Sequence, residues 1–365
     1  RGSKRYSEKD GFVILIRTSR ESSTCQYAAG GGCVESFEHG TDFLIENSEF
    51  ADCSYANSQH GIYMSGGAGT IRNNIFRDNI GNGIQMQDKG VGHSIGAVYV
   101  YGNKVYNNEV WHGIYARAYD IGGGCSNTSD IYVFNNLVWN NSWNGGAGYG
   151  IVATEDNDCP LHMSIYNNTV WNNKNGIIDD INAGAGEIRN NIVANNINSD
   201  FAYGITCSNP ITTRSNNLST AGSESGCGVN ASFPATDFLS TDSSSVNFLK
   251  INNLNNAVDA GYNLSSIFTK DYAGESRDVN FDIGAYEYME SNLYRSDVDN
   301  SSVTNTTDAL LTLRNSLGLS MNGTAWQVGA TTGDVDCSGA SNSTDALLIL
   351  RYSLGLEMEE TGWCE

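Results

Sequence analysis

The chain has 365 residues, with 20 Lys and Arg against 41 Asp and Glu, which gives a net charge of −21. Nucleic-acid binding needs a basic patch to meet the phosphates, so this balance argues against a nucleic-acid partner. No apolar run approaches the length of a membrane span, and no membrane-spanning segment is predicted.

Nine cysteines are present, and none forms a CxxC pair, which argues against a zinc site. Pairing between neighbours in sequence would join Cys25 with Cys33, Cys125 with Cys159, Cys207 with Cys227 and Cys337 with Cys364, leaving Cys53 over with a partner before Arg1. This cysteine usage favours an oxidising compartment, so we expect a secreted protein, extracellular or at the cell surface.

An Asn-containing pair recurs every 23 to 33 residues, each time after a short β-rich run. Its second members are Ser48, Asn74, Asn103, Asn136, Asn168, Asn191 and Asn217. A second repeat, Gly-Ile, occurs once in each interval, at 61–62, 83–84, 113–114, 150–151, 176–177 and 204–205. Three short strands per repeat, separated by Gly- and Asn-rich turns, are typical of a parallel β-helix, whose coils must stack to bury their apolar faces.

The choice of Asn has a physical cause, because Asn tolerates left-handed backbone and bonds to nearby backbone groups. Asn side chains stacked in successive coils can also hydrogen-bond to one another. A run of amphipathic helices is the competing interpretation, but strong helix formers are scarce and we reject it. The coils fade after Asn217, and a loop-rich closing segment follows.

The closing segment contains Ala257-Val258-Asp259-Ala260-Gly261, then an arginine, then Asp282-Ile283-Gly284-Ala285-Tyr286-Glu287-Tyr288. Together with the Asn pairs and His-Gly-Ile-Tyr, this ending resembles the last coil of bacterial secreted β-helix proteins of the pectate-lyase-like superfamily. The resemblance covers roughly residues 10–289 and implies an all-β, right-handed parallel β-helix over residues 1–289.

Residues 297–319 and 334–356 are a duplication. In each copy, oxygen-bearing residues and one backbone carbonyl fall at positions 1, 3, 5, 7, 9 and 12, which are the calcium-ligand positions of an EF-hand loop. They are Asp297, Asp299, Ser301, Val303, Asn305 and Asp308 in the first loop, and Asp334, Asp336, Ser338, Ala340, Asn342 and Asp345 in the second. Each loop runs into a Leu-rich helix that should end at Gly318 or Gly355.

This duplication resembles a type I dockerin, which implies a small all-α domain over residues 290–365 with two Ca²⁺ sites. The departures are Ser at position 5 of both loops and Ser302 where the turn glycine is expected. The resemblance implies that Thr306-Thr307 and Ser343-Thr344 face a cohesin-like partner. Self-association or surface retention through this module is the alternative.

Parallel strands stack about 4.8 Å apart, so one residue per coil forms a row along the outside of the helix. If the Ile of each Gly-Ile points inward, two rows point outward. They are Tyr63, Gln85, Tyr115, Val152, Ile178 and Thr206, and Ser65, Gln87, Arg117, Thr154 and Asp180. Aligned Tyr, Gln and Arg can bind a sugar chain by stacking and hydrogen bonds. His60, His112, Asp88, Lys89, His93, Asp120, Glu155 and Asp156 flank these rows.

The family resemblance implies chemistry on uronic-acid polysaccharides, and β-elimination is the reaction that these residues suggest. It requires neutralisation of the substrate carboxylate, a base for the C5 proton and an acid for the leaving oxygen. We assign the carboxylate to Arg117, the base to His112 and the acid to Tyr115, with His60, Tyr63, Gln85, Gln87 and Lys89 binding substrate. Strict alternation leaves another role open, in which both histidines are turn residues on the inward side.

Three functions follow from these features. The first is an extracellular polysaccharide lyase that acts on an acidic polysaccharide and is tethered by its calcium module. The second is a glycoside hydrolase, which would need paired carboxylates across a groove. The third is a non-catalytic glycan-binding, surface or fibre-forming protein. The Asp-Pro-His motif of alginate epimerases is absent.

Overall fold

The computed structural model describes residues 43–53, 60–89, 95–120, 129–141, 148–156, 159–181, 186–197, 213–220, 228–252, 256–288, 295–301, 303–326, 332–358 and 361–364, and the backbone of 15–17, 23–24, 32–37, 199–201 and 212. The chain divides into two compact units, Arg1–Tyr288 and Met289–Glu365. The boundary lies one residue before the predicted one.

The N-terminal unit is built from three parallel sheets, and each coil of the chain adds one strand to each sheet in turn. Sheet 1 contains β1 (Leu15–Arg17), β4 (Phe43–Glu46), β7 (Gly67–Arg72), β10 (Ile95–Tyr101), β13 (Ser129–Phe134), β16 (Leu161–Tyr166), β19 (Gly186–Arg189) and β22 (Thr212–Ser215). Sheet 2 contains β2 (Ser23–Thr24), β5 (Glu49–Ala51), β8 (Ile75–Arg77), β11 (Lys104–Tyr106), β14 (Leu137–Trp139), β17 (Thr169–Trp171), β20 (Ile192–Ala194), β23 (Asn217–Ser219) and β24 (Val229–Ser232). Sheet 3 contains β3 (Gly32–Phe37), β6 (His60–Ser65), β9 (Ile84–Asp88), β12 (Ile114–Ala118), β15 (Tyr149–Glu155), β18 (Asn175–Asp180) and β21 (Ser199–Phe201). The predicted parallel β-helix is confirmed.

The core of this unit runs along the axis of the coils, because equivalent residues stack in register. In sheet 3, Ile84 pairs with Ile114 and Ile114 pairs with Ile151, and all three are fully buried. Close packing requires glycine before the Ile at Gly61, Gly83, Gly113 and Gly150. A Cβ at Gly113 would lie 2.6 Å from the carbonyl oxygen of Gly150, one coil later. The Gly-Ile repeat therefore marks the corner where adjacent coils approach most closely.

The second Asn of each pair forms a buried ladder at the turn between sheets 1 and 2. Asn136 Nδ2 donates to Oδ1 of Asn168 at 3.0 Å, and Asn168 Nδ2 donates to Oδ1 of Asn191 at 3.1 Å. The ladder extends from Asn74 to Asn217 through bonds of the same kind. A second ladder occupies the turn between sheets 2 and 3, through Asn79, Asn108, Asn141, Asn173 and Asn196. These bonds satisfy polar groups that burial would otherwise leave unpaired.

The first Asn of each pair has left-handed backbone and points outward, where it holds the closing segment. Its amide donates to a backbone carbonyl of that segment in four successive coils. The bonds are Asn135 to Lys270 (2.7 Å), Asn167 to Asp282 (2.7 Å), Asn190 to Tyr262 (2.8 Å) and Asn216 to Ala260 (2.9 Å). In these pairs, therefore, the second Asn forms hydrogen bonds between coils, and the first Asn forms hydrogen bonds to the closing segment outside them.

A buried arginine fixes the closing segment. Arg277 Nη1 forms an ion pair with Glu287 at 2.6 Å, and Nη2 donates to Oδ1 of Asn135 at 2.9 Å. Nη2 also donates to the carbonyls of Gly284 and Ala285. This is the arginine of the closing motif, and its partner Glu287 also comes from that motif. The motif thus encodes the contacts that hold the segment against the coils.

The C-terminal unit contains two helices, α1 (Thr306–Ser316) and α2 (Ser343–Ser353), each capped by the Asn at loop position 9. Gly318 and Gly355 follow them with φ of +67° and +68°, as expected for helix-ending glycines. The core of the unit is small and consists of Ala309, Val335, Leu348 and Ile349, with Met358 and Trp363 packed against it. No helix among the described residues is long and apolar enough to cross a membrane.

The disulfide of Cys337 agrees with the predicted pairing, and the bonding of Cys53 differs from it. Cys337 and Cys364 are joined, as predicted. Cys53 and Cys159 are also disulfide-bonded, with partners outside the described residues. The prediction that Cys53 is left over is therefore wrong.

Candidate functional site

The two predicted outward rows are aligned on sheet 3. Tyr63, Gln85, Tyr115, Val152 and Ile178 are paired in register, and so are Ser65, Gln87, Arg117, Thr154 and Asp180. The intervening Ile and Met or Ala residues belong to the core, which fixes the outward direction of both rows. Thr206 and His93 lie outside the described residues.

A hydrogen-bonded group of polar and aromatic residues lies on β9, β6 and the end of β12. Oε1 of Gln87 accepts hydrogen bonds from the hydroxyls of Tyr63 at 2.7 Å and Tyr119 at 3.3 Å. Tyr119 follows β12 and is two residues beyond Arg117, so alternation along the strand could have predicted it. The sequence interpretation missed it. We call Tyr63, Gln87, Lys89, Arg117 and Tyr119 the sheet 3 cluster.

Two cations complete the sheet 3 cluster by lying over its tyrosine rings. Lys89 Nζ is 5.2 Å from the ring centre of Tyr63, and Arg117 Cζ is 4.5 Å from that of Tyr119. Arg117 also forms an ion pair with Asp156, and the two side chains are 34% and 41% exposed. The cluster thus brings two basic side chains, one of them ion-paired, next to polar groups that can bind sugar hydroxyls.

His60, the first residue of β6, and His112, two residues before β12, occupy the same position of their coils at the corner where sheet 3 begins. His60 Nδ1 accepts a hydrogen bond from the backbone N–H of Asn82 at 2.9 Å. In the next coil Oδ1 of Asn82 accepts from the N–H of His112 at 2.7 Å, and Nδ1 of His112 accepts from the N–H of Tyr149 at 3.1 Å. Each side chain at this corner thus bonds to the backbone of the following coil.

This geometry argues against the predicted role of His112 as the base. Because Nδ1 accepts a backbone hydrogen bond, the ring proton of each histidine is on Nε2, and neither nitrogen is left to accept a proton from substrate. Burial lowers the pKa of His60 to about 4. Burial, with a smaller contribution from His60, lowers the pKa of His112 to about 3. Both histidines are neutral turn residues at neutral pH.

Tyr115 and the glutamines differ in how open they are to a ligand. Tyr115 is partly exposed, and its hydroxyl accepts from Oγ1 of Thr154 at 3.4 Å. Gln85 and Gln87 are buried although they point outward, at 6% and 7% exposure. Gln85 Oε1 accepts from the amide of Asn82 at 2.6 Å, so Gln85 supports the corner. The predicted direct contact of Gln85 and Gln87 with substrate is therefore replaced by a supporting role.

Two carboxylates at the ends of sheet 3 strands accept hydrogen bonds from residues later in the chain. Asp88 is buried and accepts from the N–H of Ile95 at 3.0 Å and from the hydroxyl of Ser129. Glu155 is buried and accepts from the N–H of Leu161 at 3.3 Å. A glycoside hydrolase needs two carboxyl groups that face each other across an open groove, and these two are engaged with backbone.

The loop residues of the C-terminal unit converge in each repeat. One oxygen from each of Asp297, Asp299 and Asp308 lies within 4.8 Å of the others, and the same holds for Asp334, Asp336 and Asp345. The hydroxyl of Ser301 and the amide of Asn305 both donate to the carbonyl of Val303, and Ser338 and Asn342 do the same to Ala340. Burial raises the pKa of Asp308 and of Asp345, and the neighbouring aspartates add to the effect.

The comparisons with known proteins are sparse. No family model matches the chain, and no curated protein matches it. One solved structure that it resembles is the crystal structure of pectate lyase Pel9A, with 15% sequence identity and a TM-score of 0.35. That alignment covers 68% of this chain and 73% of the other. The similarity is too low to transfer a function.

Proposed function

We propose that the N-terminal unit binds an acidic polysaccharide along the outer face of sheet 3 and cleaves it by β-elimination. The observation that supports this is the sheet 3 cluster, in which Lys89 and Arg117 lie over tyrosine rings on adjacent coils. On a chain of net charge −21, two cations over the partly exposed rings of Tyr63 and Tyr119 are a specific feature. They provide the attraction for an anionic sugar that the rest of the surface opposes.

In the proposed reaction Arg117 binds the carboxylate of the sugar, in competition with Asp156. A guanidinium stabilises the negative charge that develops when the C5 proton is removed. The base takes that proton, its electrons form the C4–C5 double bond, and the C4–O bond breaks. Tyr115 then donates its proton to the departing oxygen, for which its partly exposed hydroxyl is suited.

We assign the base to Lys89 in place of His112. Lys89 follows Asp88, whose register partner is Ala118, so Lys89 is a neighbour of Tyr119 and a diagonal neighbour of Arg117. From this position the side-chain nitrogen of Lys89 is in line to accept the C5 proton of a sugar whose carboxylate is held by Arg117.

The test is an ultraviolet assay for unsaturated uronic-acid ends on a panel of polyuronides, with the parent, Lys89→Ala, Arg117→Ala and Tyr115→Phe. Each variant should lose about 10²–10⁴-fold in rate, as expected when an acid, a base or a charge-stabilising group is removed. His112→Asn is the matched control, because Asn82 already occupies the equivalent corner position. It should keep its activity, and its loss of activity would return the base to His112.

The non-catalytic alternative, a glycan-binding, surface or fibre-forming protein, is favoured by one observation. Nδ1 of His60 and Nδ1 of His112 each accept a hydrogen bond from a backbone N–H, so neither histidine can act as the base. Binding of a polyuronide without any unsaturated product, with binding lost in Arg117→Ala, would establish that alternative. If the protein neither binds a polyuronide nor forms the unsaturated product, the assignment of an acidic polysaccharide to sheet 3 is overturned.

We also propose that the C-terminal unit is a calcium-binding, dockerin-like module of a secreted protein. Carboxylate, hydroxyl and carbonyl oxygens at EF-hand spacing are the hard donors that Ca²⁺ prefers, and three close carboxylates repel one another unless a cation is bound. The Cys337–Cys364 disulfide supports an oxidising location. Leucines exposed at matching positions in and just after α1 and α2 support a protein partner, either cohesin-like or a second copy of the chain. They are Leu310, Leu313, Leu317, Leu347, Leu350 and Leu354.

A further inference from the structure

A cavity of about 810 Å³ lies on the outside of sheet 1, at the end of the row of outward Asn side chains. Asn135, which holds the closing segment through Lys270, lines one side of it. Asn73 and Asn47 occupy the same turn position in earlier coils, with the same left-handed backbone. Both are exposed, and their side-chain amides make no hydrogen bond to any described residue. The row of outward Asn side chains that binds the closing segment thus continues into the cavity.

One wall of the cavity is aromatic. The ring of Tyr99 stacks on Tyr132 of the next coil, with centres 5.0 Å apart and planes 9° apart. On its other side the register partner of Tyr99 is Thr70, which is small and also lines the cavity. Tyr99 is 38% exposed, so one face of a ring fixed by stacking is available to a ligand. A fixed ring with one open face suits the apolar face of a sugar.

The charges around the cavity favour an anion. Lys104 and Lys270 both line it, on a chain with only 20 basic residues. Lys104 forms no ion pair with any residue that the structure describes. The carboxylate of Asp271, which also lines the cavity, is buried and accepts the N–H groups of Glu275 at 2.8 Å and Glu287 at 3.0 Å. The accessible charge in the cavity is therefore positive.

We propose that this cavity is a second glycan-binding site, which takes a short acidic oligosaccharide lying along the axis of the coils. Tyr99 stacks on a sugar ring, Asn73 and Asn47 bond to hydroxyls, and Lys104 and Lys270 pair with carboxylate or sulfate groups. The volume falls within the range of about 300–1,000 Å³ that is typical of ligand pockets. The site is independent of the reaction proposed at sheet 3, since it shares no residue with the sheet 3 cluster.

The experiment is calorimetric titration of the full chain with short oligogalacturonate in an Arg117→Ala background, which removes the cation proposed to bind substrate at sheet 3. Tyr99→Ala should weaken binding about tenfold or more, as expected for an aromatic anchor. Lys104→Ala should weaken it and reduce its dependence on salt. Lys250→Ala is the matched charge control and should bind like the background protein.

Asn73→Gly is a second variant, for use if Tyr99→Ala proves unstable. Glycine adopts the left-handed backbone of this turn readily, so the variant should fold. It should also weaken binding. Unchanged affinity in Tyr99→Ala, Lys104→Ala and Asn73→Gly would overturn the proposal, and so would the absence of any binding in the Arg117→Ala background. Capture of an extended peptide in the cavity, in preference to oligogalacturonate, would overturn it in favour of a chain-docking groove.

Discussion

The side-chain amide of Asn136 donates a hydrogen bond of 3.0 Å to Oδ1 of Asn168, one coil later, and Asn136 Oδ1 accepts the same bond from Asn103. Asn136 Nδ2 also bonds to the carbonyls of Val100 and Phe134. One buried side chain therefore satisfies polar groups of three coils. The stability of the solenoid depends on such repeated contacts between nearest neighbours.

Replacement of Asn136 by Ala should lower the free energy of unfolding by about 3 kcal/mol, because it leaves several buried donors and acceptors unpaired. Urea unfolding followed by circular dichroism measures the change. Asn107→Gly is the control, since Asn107 has φ of +55° and its side chain bonds to no described residue. A loss below about 0.5 kcal/mol in Asn136→Ala would mean that the ladder is not stabilising.

Arg277→Met should release the closing segment, because it leaves Glu287 buried without its ion-pair partner. Breaking a buried pair costs about 3–5 kcal/mol. Limited proteolysis should detect new cleavage within residues 256–288. The double variant Arg277→Met/Glu287→Leu should recover part of the loss, since no unpaired charge remains. Equal cleavage of the single and double variants would contradict this account.

Acid should destabilise the N-terminal unit through its corner histidines. The folded pKa of His60 is about 4 and its ordinary value is 6.5, so between these values the unfolded chain binds more protons. The contribution of His60, on the order of 3 kcal/mol, is complete above pH 6.5 and is lost as the pH falls toward 4.

Unfolding of the parent and of His60→Asn/His112→Asn across this range isolates the effect, because Asn does not titrate. The difference in unfolding free energy between them should change with pH in the stated direction. Buried carboxylates such as Asp282, whose pKa is raised to about 7 by burial, act in the opposite direction but cancel in the comparison. Parallel pH profiles would contradict the role of the histidines.

Chelation of calcium should unfold the C-terminal unit and leave the β-helix intact. The core of that unit is small, so its folding should depend on bound metal. Most of the helical signal from α1 and α2 should disappear with chelator and return with Ca²⁺, and Asp308→Asn/Asp345→Asn should mimic the chelator. Loss of β signal in step with helical signal would contradict the independence of the two units.

Much of the fold could be predicted from the sequence because it is repetitive. The Asn pairs and the Gly-Ile repeat are visible as spacings, and a parallel stack allows few registers that keep both repeats aligned. The outward rows that include Tyr115 and Arg117 followed from alternation alone. The same reasoning could have included Tyr119, which lies one further step along the strand.

The roles of individual side chains could not be predicted in this way. Alternation placed His112 near Tyr115. Only the structure shows that Nδ1 of His112 accepts a hydrogen bond from the N–H of Tyr149, which is 37 residues later and in the next coil. In the same way, pairing of neighbours in sequence left Cys53 with a partner before Arg1, whereas the folded chain joins it to a cysteine. Contacts between coils depend on loop lengths that vary from repeat to repeat.

The sequence by itself determined the parallel β-helix, the duplicated helical repeats and the alignment of residues within sheet 3, because these follow from periodicity and local backbone preference. Only the tertiary structure decided that the two members of each Asn pair have different partners. It also decided that the closing segment covers the later coils and ends beside an open cavity at Asn73 and Tyr99. That segment is remote in sequence from the coils it contacts, and the closing motif by itself does not specify which coils it packs against.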